Sequence, residues 1–176
     1  MRILLALAVA MPSFAFAAGS DMSSPPKTTK TTSECKGTQV WDDKTQSCVD
    51  PKESSLDTDT LYGAVRELAY AGRYTDAQAV LAQMPDQQDD RVLTYWGFTH
   101  RKLGDLETAN MFYEQAIAAN PDNMLARSYM AQGFVAEGRT DEAIAQWREI
   151  KARGGEGSWA EASLRKAIRT GMTYSY

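Results

Sequence analysis

The chain has 176 residues, with 19 basic and 23 acidic side chains and a formal net charge of −4 at pH 7. This mildly acidic balance argues against nucleic acid as the main partner, because domains that bind phosphate backbones are usually basic overall. The two cysteines and the single histidine also fall short of the four ligands of a structural zinc site.

The first segment, residues 1–17, has the features of a secretory signal peptide. One arginine precedes a short apolar run, and a small-x-small triplet ends the segment at Ala17. This pattern predicts cleavage after Ala17. The run is too short to span a membrane, so we expect a mature protein that is exported to the periplasm, with an extracellular location as the alternative.

Residues 18–34 are rich in Ser, Thr, Pro and Lys and contain few side chains that could be buried. Such a composition cannot offset the entropy lost on ordering the chain. The sequence therefore predicts a flexible linker here.

A small cysteine loop is expected at residues 35–54, where the chain reads "CKGTQVWDDKTQSCV" from Cys35. In an oxidising compartment Cys35 and Cys48 are predicted to form a disulfide, which stabilises a loop of this length by roughly 3 kcal/mol. Two interpretations stay open. Either Trp41 and Asp42 bind an envelope glycan, by stacking and by accepting hydroxyl hydrogens, or the loop is a structural hairpin packed under its apolar residues.

From Leu56 onward the hydrophobic residues follow a helical period, and three segments of this region repeat. Their glycines are 32 and then 34 residues apart, and each is followed by an alanine after five residues and by a large apolar residue after four more. The repeated positions are Gly72, Gly104 and Gly138; Ala77, Ala109 and Ala143; Leu81, Tyr113 and Trp147.

This repeat predicts helical hairpins that pack side by side. The glycine ends the first helix of each hairpin, where a left-handed backbone is tolerated. The alanine lets the two helices approach, and the large residue fills the gap to the next hairpin.

The region from about Asp57 to Gly154 resembles the tetratricopeptide repeat family, whose pattern is W-x2-L-G-x2-Y, A-x3-F and P over 34 residues. The middle unit carries most of the likeness, with Leu93, Trp96, Gly97, His100, Ala109, Tyr113, Ala116 and Pro121 at the corresponding positions. The resemblance implies an all-α fold, a right-handed solenoid of about three helix-turn-helix hairpins. The small disulfide loop expected from the cysteines precedes it.

A further amphipathic helix follows the third hairpin, with Ser158 and Glu161 in capping-box spacing. It is expected to cap the array, because a stack of repeats needs its last apolar surface covered. The sequence thus predicts seven helices in a helical domain at residues 55–171, followed by a tail at 172–176.

His100 is the one side chain of the chain whose ordinary pKa lies near neutrality. A general base needs an orienting partner and a substrate pocket, and a metal ion needs further ligands. The repeats offer no serine, cysteine or second histidine at a matching position. We therefore expect His100 to be a packing residue where the family usually has tyrosine.

In the family, the first helices of the hairpins line a concave groove that binds a segment of another protein. The corresponding residues of this chain are Tyr62, Arg66, Tyr70, Arg91, Thr94, Phe98, Arg101, Lys102, Leu125, Ser128, Gln132 and Val135. The family's carboxylate clamp is not reproduced, because Tyr62 and Leu125 stand where it has lysines.

The resemblance implies a periplasmic scaffold or adaptor whose groove holds an extended peptide or chain end bearing carboxylates. Aromatic residues would anchor the peptide and arginines would bind its acids. The alternative for this face is a solvated surface whose Arg and Lys stems cover apolar atoms.

A different class of function, a cell-envelope glycan-binding protein, would use the cysteine loop with the helices as its platform. Catalysis, a metal and a cofactor are not expected, since the sequence has no paired nucleophile and base and no phosphate-binding glycine loop.

Overall fold

The computed structural model describes residues 28–53 and 55–173. Within these ranges the chain forms eight helices and one two-stranded antiparallel sheet, so the predicted mostly helical fold is confirmed. The predicted signal peptide lies outside the described residues, as do most of the predicted linker and the last three residues of the tail.

Along the described chain one short helix is followed by a two-stranded hairpin and then by seven helices. Their bounds are α1 Lys30–Ser33, β1 Val40–Asp42, β2 Ser47–Val49, α2 Thr58–Tyr70, α3 Tyr74–Leu81, α4 Asp90–Lys102, α5 Leu106–Ala119, α6 Met124–Ala136, α7 Thr140–Ala152 and α8 Trp159–Thr170. Helices α2 to α8 correspond to the seven that the sequence predicts, and α1 is an additional short helix.

The ends of the helices are determined by local chemistry. Side chains of Asp, Asn or Ser precede most of the long helices and accept a hydrogen bond from an amide of the first turn, as Asp57 does from Thr60 N and Ser158 from Glu161 N. The repeated glycines Gly72, Gly104 and Gly138 follow α2, α4 and α6 with φ values of 77°, 91° and 77°. The left-handed turn predicted after each first helix is therefore present.

Each helix packs against the next one along the chain, and α2, α4, α6 and α8 also contact one another in that order. The core between them contains the repeated alanines, which are at most 1% exposed, together with Leu81 and Tyr113. Trp147, the third large residue of the repeat, remains partly exposed.

Helices α4 and α5 of the middle hairpin approach each other closely at Gly97. A Cβ atom at this position would lie 2.7 Å from two ring carbons of Tyr113 and 3.0 Å from the carbonyl oxygen of Ala109. Only a glycine leaves room for the tyrosine ring here. The glycine at position 97 is thus explained by packing.

The cysteine segment is a small hairpin closed by the predicted Cys35–Cys48 disulfide. Its residue Val40 is only 1% exposed and joins the helical core. Because this valine is anchored among the helices, the hairpin is fixed to the rest of the protein instead of standing alone.

The structure differs from the sequence prediction at the end of the linker. Residues predicted to be flexible form α1, which packs on α2. The buried carboxylate of Glu67 accepts hydrogen bonds from the hydroxyl groups of Thr29 and Thr32 and from Thr32 N at 3.0 Å. Composition suggested disorder because α1 buries little apolar surface; its order depends on these polar contacts with a distant helix.

Helix α8 packs on both α6 and α7. Ser158 caps α8 as expected. The second hydrogen bond of a capping box, from Ser158 N to the Glu161 carboxylate, is not formed, because Ser158 N donates to the carbonyl oxygen of Gly155. The Glu161 carboxylate instead accepts a hydrogen bond from Trp147 Nε1 at 2.8 Å. In the described part of the chain no helix has the length and apolar character needed to cross a membrane.

Candidate functional site

The predicted groove residues all lie on α2, α4 and α6, but most of them are inside the protein. Four remain partly exposed: Tyr70, Arg91, Arg101 and Lys102. Seven are buried: Tyr62, Arg66, Thr94, Phe98, Leu125, Ser128 and Gln132. Val135, at the end of α6, is partly exposed. The expectation that these residues form one open peptide-binding face therefore needs correction.

The reason for the burial is that α2, α4 and α6 pack directly against one another through aromatic residues. Phe98 is fully buried, with ring centroids 4.8 Å from Tyr129 and 6.0 Å from Tyr70. Tyr62 meets Tyr95 edge to face at 5.6 Å. Phe98 and Tyr62, predicted to anchor a ligand, are therefore part of the core.

The predicted residues of α6 are covered by α8. Ser128 Oγ donates to the carbonyl oxygen of Ala160 at 2.7 Å and lies 3.3 Å from Ser163 Oγ. Gln132 Nε2 lies 3.3 Å from Ser128 Oγ and 3.4 Å from Ser163 Oγ. These side chains form a buried polar network that holds two helices together, so they are unavailable to an outside ligand.

The two predicted arginines nearest the start of the face are already paired. Arg66 is buried, and its Nε donates to Tyr95 Oη at 3.3 Å. Arg91 contacts Asp89 at 3.1 Å and Asp59 at 3.3 Å. The hydrogen bonds with Asp89 raise the pKa of Arg91, although partial burial opposes this. Both guanidinium groups therefore already have partners within the protein.

Besides Arg91 and Val135, the accessible part of the face is a basic corner formed by Tyr70, Arg101 and Lys102 around the ring of Phe98. The Arg101 guanidinium carbon and Lys102 Nζ each lie 5.6 Å from the Phe98 ring centroid, and Tyr70 stacks on the same ring. Burial lowers the pKa of Lys102 to about 8, and the positive charge of Arg101 adds to this effect.

Arg101 has an unusual hydrogen-bond environment. Its Nε donates to Tyr113 Oη at a long 3.4 Å, and its Nη2 is buried with no hydrogen-bond partner among the described residues. An unsatisfied buried donor costs about 1–3 kcal/mol. Arg101 is thus the predicted groove residue with the most to gain from an incoming acceptor.

Three comparisons, with family models, with curated proteins and with solved structures, found no match. The basic corner and the contacts around it are therefore the basis for any functional assignment to this face.

His100 lies at the junction between α4 and α5, outside the basic corner. Its Nδ1 is 3.2 Å from Asp105 Oδ2, and its ring is 5.6 Å from that of Phe112 and 6.0 Å from that of Trp96. Asp105 also caps α5, and its hydrogen bonds with Thr108 lower the pKa of this carboxyl. No group of three or more metal-binding side chains occurs in the residues that the structure describes.

In the cysteine loop, the two residues predicted to bind glycan are in different situations. The Asp42 carboxylate accepts from Lys44 N and from the Thr45 hydroxyl, both at 2.9 Å, so it stabilises the hairpin turn. Trp41 is partly exposed, and its Nε1 donates to Asp43 Oδ1 at 2.8 Å. The acid beside the tryptophan is therefore Asp43 and not Asp42.

Trp41 also lines a cleft of about 350 Å³ between the hairpin, the α1 region and α2. The residues around it are Thr29, Thr31, Val40, Trp41, Asp43, Asp59, Thr60, Gly63 and Ala64. The contribution of α2 to this surface was not predicted from the sequence. A glycine in the middle of a helical pattern, Gly63, was the one local signal that could have indicated it.

Proposed function

We propose that this protein is an exported interaction module of the tetratricopeptide kind, a right-handed solenoid that binds an acidic polypeptide segment at the basic corner. The proposal is supported by the three helix pairs with their left-handed glycines and by the mutual contacts of α2, α4, α6 and α8. The binding surface is smaller than the sequence suggests, because the aromatic centre of the face is core.

The observation that carries the proposal is the buried Nη2 of Arg101, which has no hydrogen-bond partner among the described residues. Among the residues that the structure describes, Arg101 makes the long hydrogen bond to Tyr113 Oη and no other, so little is lost when the flexible stem turns toward solvent. A carboxylate would then accept two parallel hydrogen bonds from the guanidinium fork. A neutral amide would leave part of that fork unpaired, which favours an acidic ligand.

The neighbours of Arg101 favour the same ligand. Lys102 adds a second cation on the adjacent position, and an incoming negative charge would stabilise its protonated form. Tyr70 offers a partly exposed ring beside both cations for an apolar or aromatic residue of the ligand. We therefore expect a segment in which a carboxylate stands next to an apolar side chain.

Peptide pools would test this function directly. Three fluorescent peptide pools would be randomised at the same positions and would differ in two features only. The first has a fixed internal Asp and a free C-terminus, the second has the same Asp and an amidated C-terminus, and the third has Asn in place of Asp and an amidated C-terminus. Binding measured by anisotropy should fall in that order. Arg101→Glu should weaken binding of the first pool by more than about tenfold, because attraction becomes repulsion.

Two variants make this result specific. Arg101→Lys keeps the charge and removes the planar fork, so its binding should be intermediate. Arg169→Glu makes the same change of charge in the last turn of α8, on another helix, and should bind as the parent chain does. Equal binding of all three pools, or equal losses in Arg101→Glu and Arg169→Glu, would refute an acidic-peptide site at this corner.

Export to the periplasm is part of the same proposal, supported by the disulfide in the structure, since such bonds persist mainly in oxidising compartments. Cell fractionation of the full chain should recover it in the periplasm. N-terminal sequencing should begin at Ala18, and a cytoplasmic product that retains Met1 would contradict the assignment.

A further inference from the structure

The cleft between the disulfide hairpin and α2, called the hairpin cleft below, is formed by residues that are distant in the sequence. Trp41 and Asp43 come from the hairpin, and Asp59, Thr60 and Gly63 come from α2. Its volume of about 350 Å³ lies at the lower end of the range for small-molecule sites. It is separate from the basic corner, so its function does not depend on the peptide-binding proposal.

The α2 wall of the hairpin cleft contains a glycine that the helix itself does not need. Gly63 lies inside α2, is exposed, and a Cβ atom added there would meet no atom within 4 Å. Glycine at an interior helix position costs about 0.5–1 kcal/mol relative to alanine. No packing contact accounts for this cost, whereas the bare backbone enlarges the cleft and allows close approach of a ligand.

The opposite wall holds an aromatic ring in one orientation. Trp41 Nε1 donates to Asp43 Oδ1 at 2.8 Å, Trp41 N donates to Thr31 Oγ1 at 3.1 Å, and Lys30 Nζ lies 4.3 Å from the ring centroid. The indole is thus fixed before any ligand arrives, which lowers the entropy that binding would cost. The buried Val40 lies beside it in the same wall.

The polar groups that line the cleft are hydroxyls and carboxylates, and the Asp59 carboxylate has a cation beside it. Asp59 pairs with Arg91 at 3.3 Å, Asp43 accepts from the indole, and Lys30 lies 3.9 Å from Glu34. A fully charged ligand would have to compete with these partners. A neutral ligand with several hydroxyl groups would donate to the carboxylates without disturbing them.

We propose that the hairpin cleft binds a neutral saccharide, with Trp41 as the stacking platform, Asp43 and Asp59 as hydroxyl acceptors, and Gly63 leaving room for the sugar against α2. Two features distinguish this site from the glycan site expected from the sequence. The acceptor on the hairpin is Asp43, since Asp42 is used by the turn, and α2 forms one wall of the site. Removal of the disulfide, which closes the hairpin, should therefore loosen one of the two walls.

The test uses the mature full chain labelled with ¹⁵N and three neutral oligosaccharides, chitotetraose, cellotetraose and maltotetraose. The indole N–H signal of Trp41, assigned by its loss in Trp41→Phe, reports directly on the cleft. At least one of the sugars should shift this signal in a saturable manner while leaving the Arg101 side-chain signals unchanged. The three sugars distinguish a cell-wall type of glycan from a storage type.

Substitutions at Gly63 provide matched variants that keep the helix. Gly63→Leu fills the cleft and should weaken sugar binding by at least about tenfold. Gly63→Ala adds a single methyl group to the same helix and should bind within about threefold of the parent chain. Both should retain the circular dichroism of the parent, because each is a better helix former than glycine.

Several outcomes would overturn the proposal. One is the absence of any Trp41 shift with all three sugars. Another is undiminished binding by Gly63→Leu. A third is a shift of the Trp41 indole signal with a lysine-rich peptide but with none of the neutral sugars, which would indicate a site for cations. Since Arg101→Glu leaves the hairpin cleft intact, failure of sugar binding and failure of peptide binding are separate results.

Discussion

The helical repeats and the cysteine segment before them are held in place by different kinds of interaction. In α2 to α8 the contacts are mainly apolar: the repeated alanines and the rings of Tyr95, Phe98 and Tyr113 are almost completely buried. In residues 28–53 the buried side chains are only those of Thr31, Cys35, Val40 and Pro51. That segment is closed on itself by the disulfide and is attached to the helices by the buried Val40 and by individual polar contacts with α2.

The difference shows why one region follows from a sequence pattern and the other does not. Apolar burial is spread over many positions, so it repeats with the helical period and can be recognised locally. The polar attachment depends on single pairs that are far apart in the chain. Examples are Thr32 with Glu67 and the Arg73 guanidinium with the carbonyl oxygen of Gly37.

The largest expected effect is in the aromatic centre of the helical region. Phe98→Ala should lower the free energy of unfolding by about 3–5 kcal/mol, because it removes a fully buried ring among Tyr70, Tyr95 and Tyr129. Urea denaturation measures this change. Phe112→Ala, at a partly exposed ring, should cost clearly less, and equal costs would contradict the interior position of Phe98.

The second effect concerns the cysteine segment alone. Replacing both Cys35 and Cys48 by serine should weaken the docking of this segment on α2 by about 3 kcal/mol, since a closed loop no longer limits its unfolded states. Hydrogen exchange should show faster exchange of the Trp41 amide, while the helical circular dichroism stays unchanged. Cooperative loss of the helical signal would mean that the two regions fold as one unit.

The third prediction compares alanine substitutions at two helical glycines, which should change the stability of the protein in opposite directions. Gly97→Ala should destabilise the protein by about 1–3 kcal/mol, because the new methyl group overlaps the Tyr113 ring and the backbone of α5. Gly63→Ala, in open space on α2, should stabilise it by up to about 1 kcal/mol. Thermal unfolding of the two variants beside the parent measures both changes.

The smallest effect is a dependence of stability on pH at the basic corner. Burial holds the pKa of folded Lys102 at about 8, below its ordinary value of 10.5, so the unfolded chain binds more protons between these two values. Stability should therefore rise with pH from about 8 to 10.5, by less than about 1 kcal/mol after screening by solvent. Lys102→Met should lack this rise, and an identical pH profile in both chains would contradict the burial of the ammonium group.

The helices and their turns were predictable, whereas the accessible face was not. Gly104, which follows α4, and Ala109 on α5 act through their immediate neighbours, so their spacing in the sequence is enough to predict the turn and the close contact that they form. Phe98 on α4 and Ser128 on α6 were predicted to line an open groove because they stand at positions that form the inner face in the family that the sequence resembles. Whether such a face is open depends on how closely the next helices approach, which is a property of the assembled core.

The sequence by itself determined the helical hairpins, the glycine turns between them and the Cys35–Cys48 pair, because each depends on short-range chemistry or on the only available partner. The tertiary structure decided what remains exposed. Packing of α2, α4, α6 and α8 against one another enclosed the aromatic residues and left the basic corner around Arg101. Docking of the cysteine segment on α2 brought Trp41 to Gly63 and formed a cleft from residues that no local pattern connects.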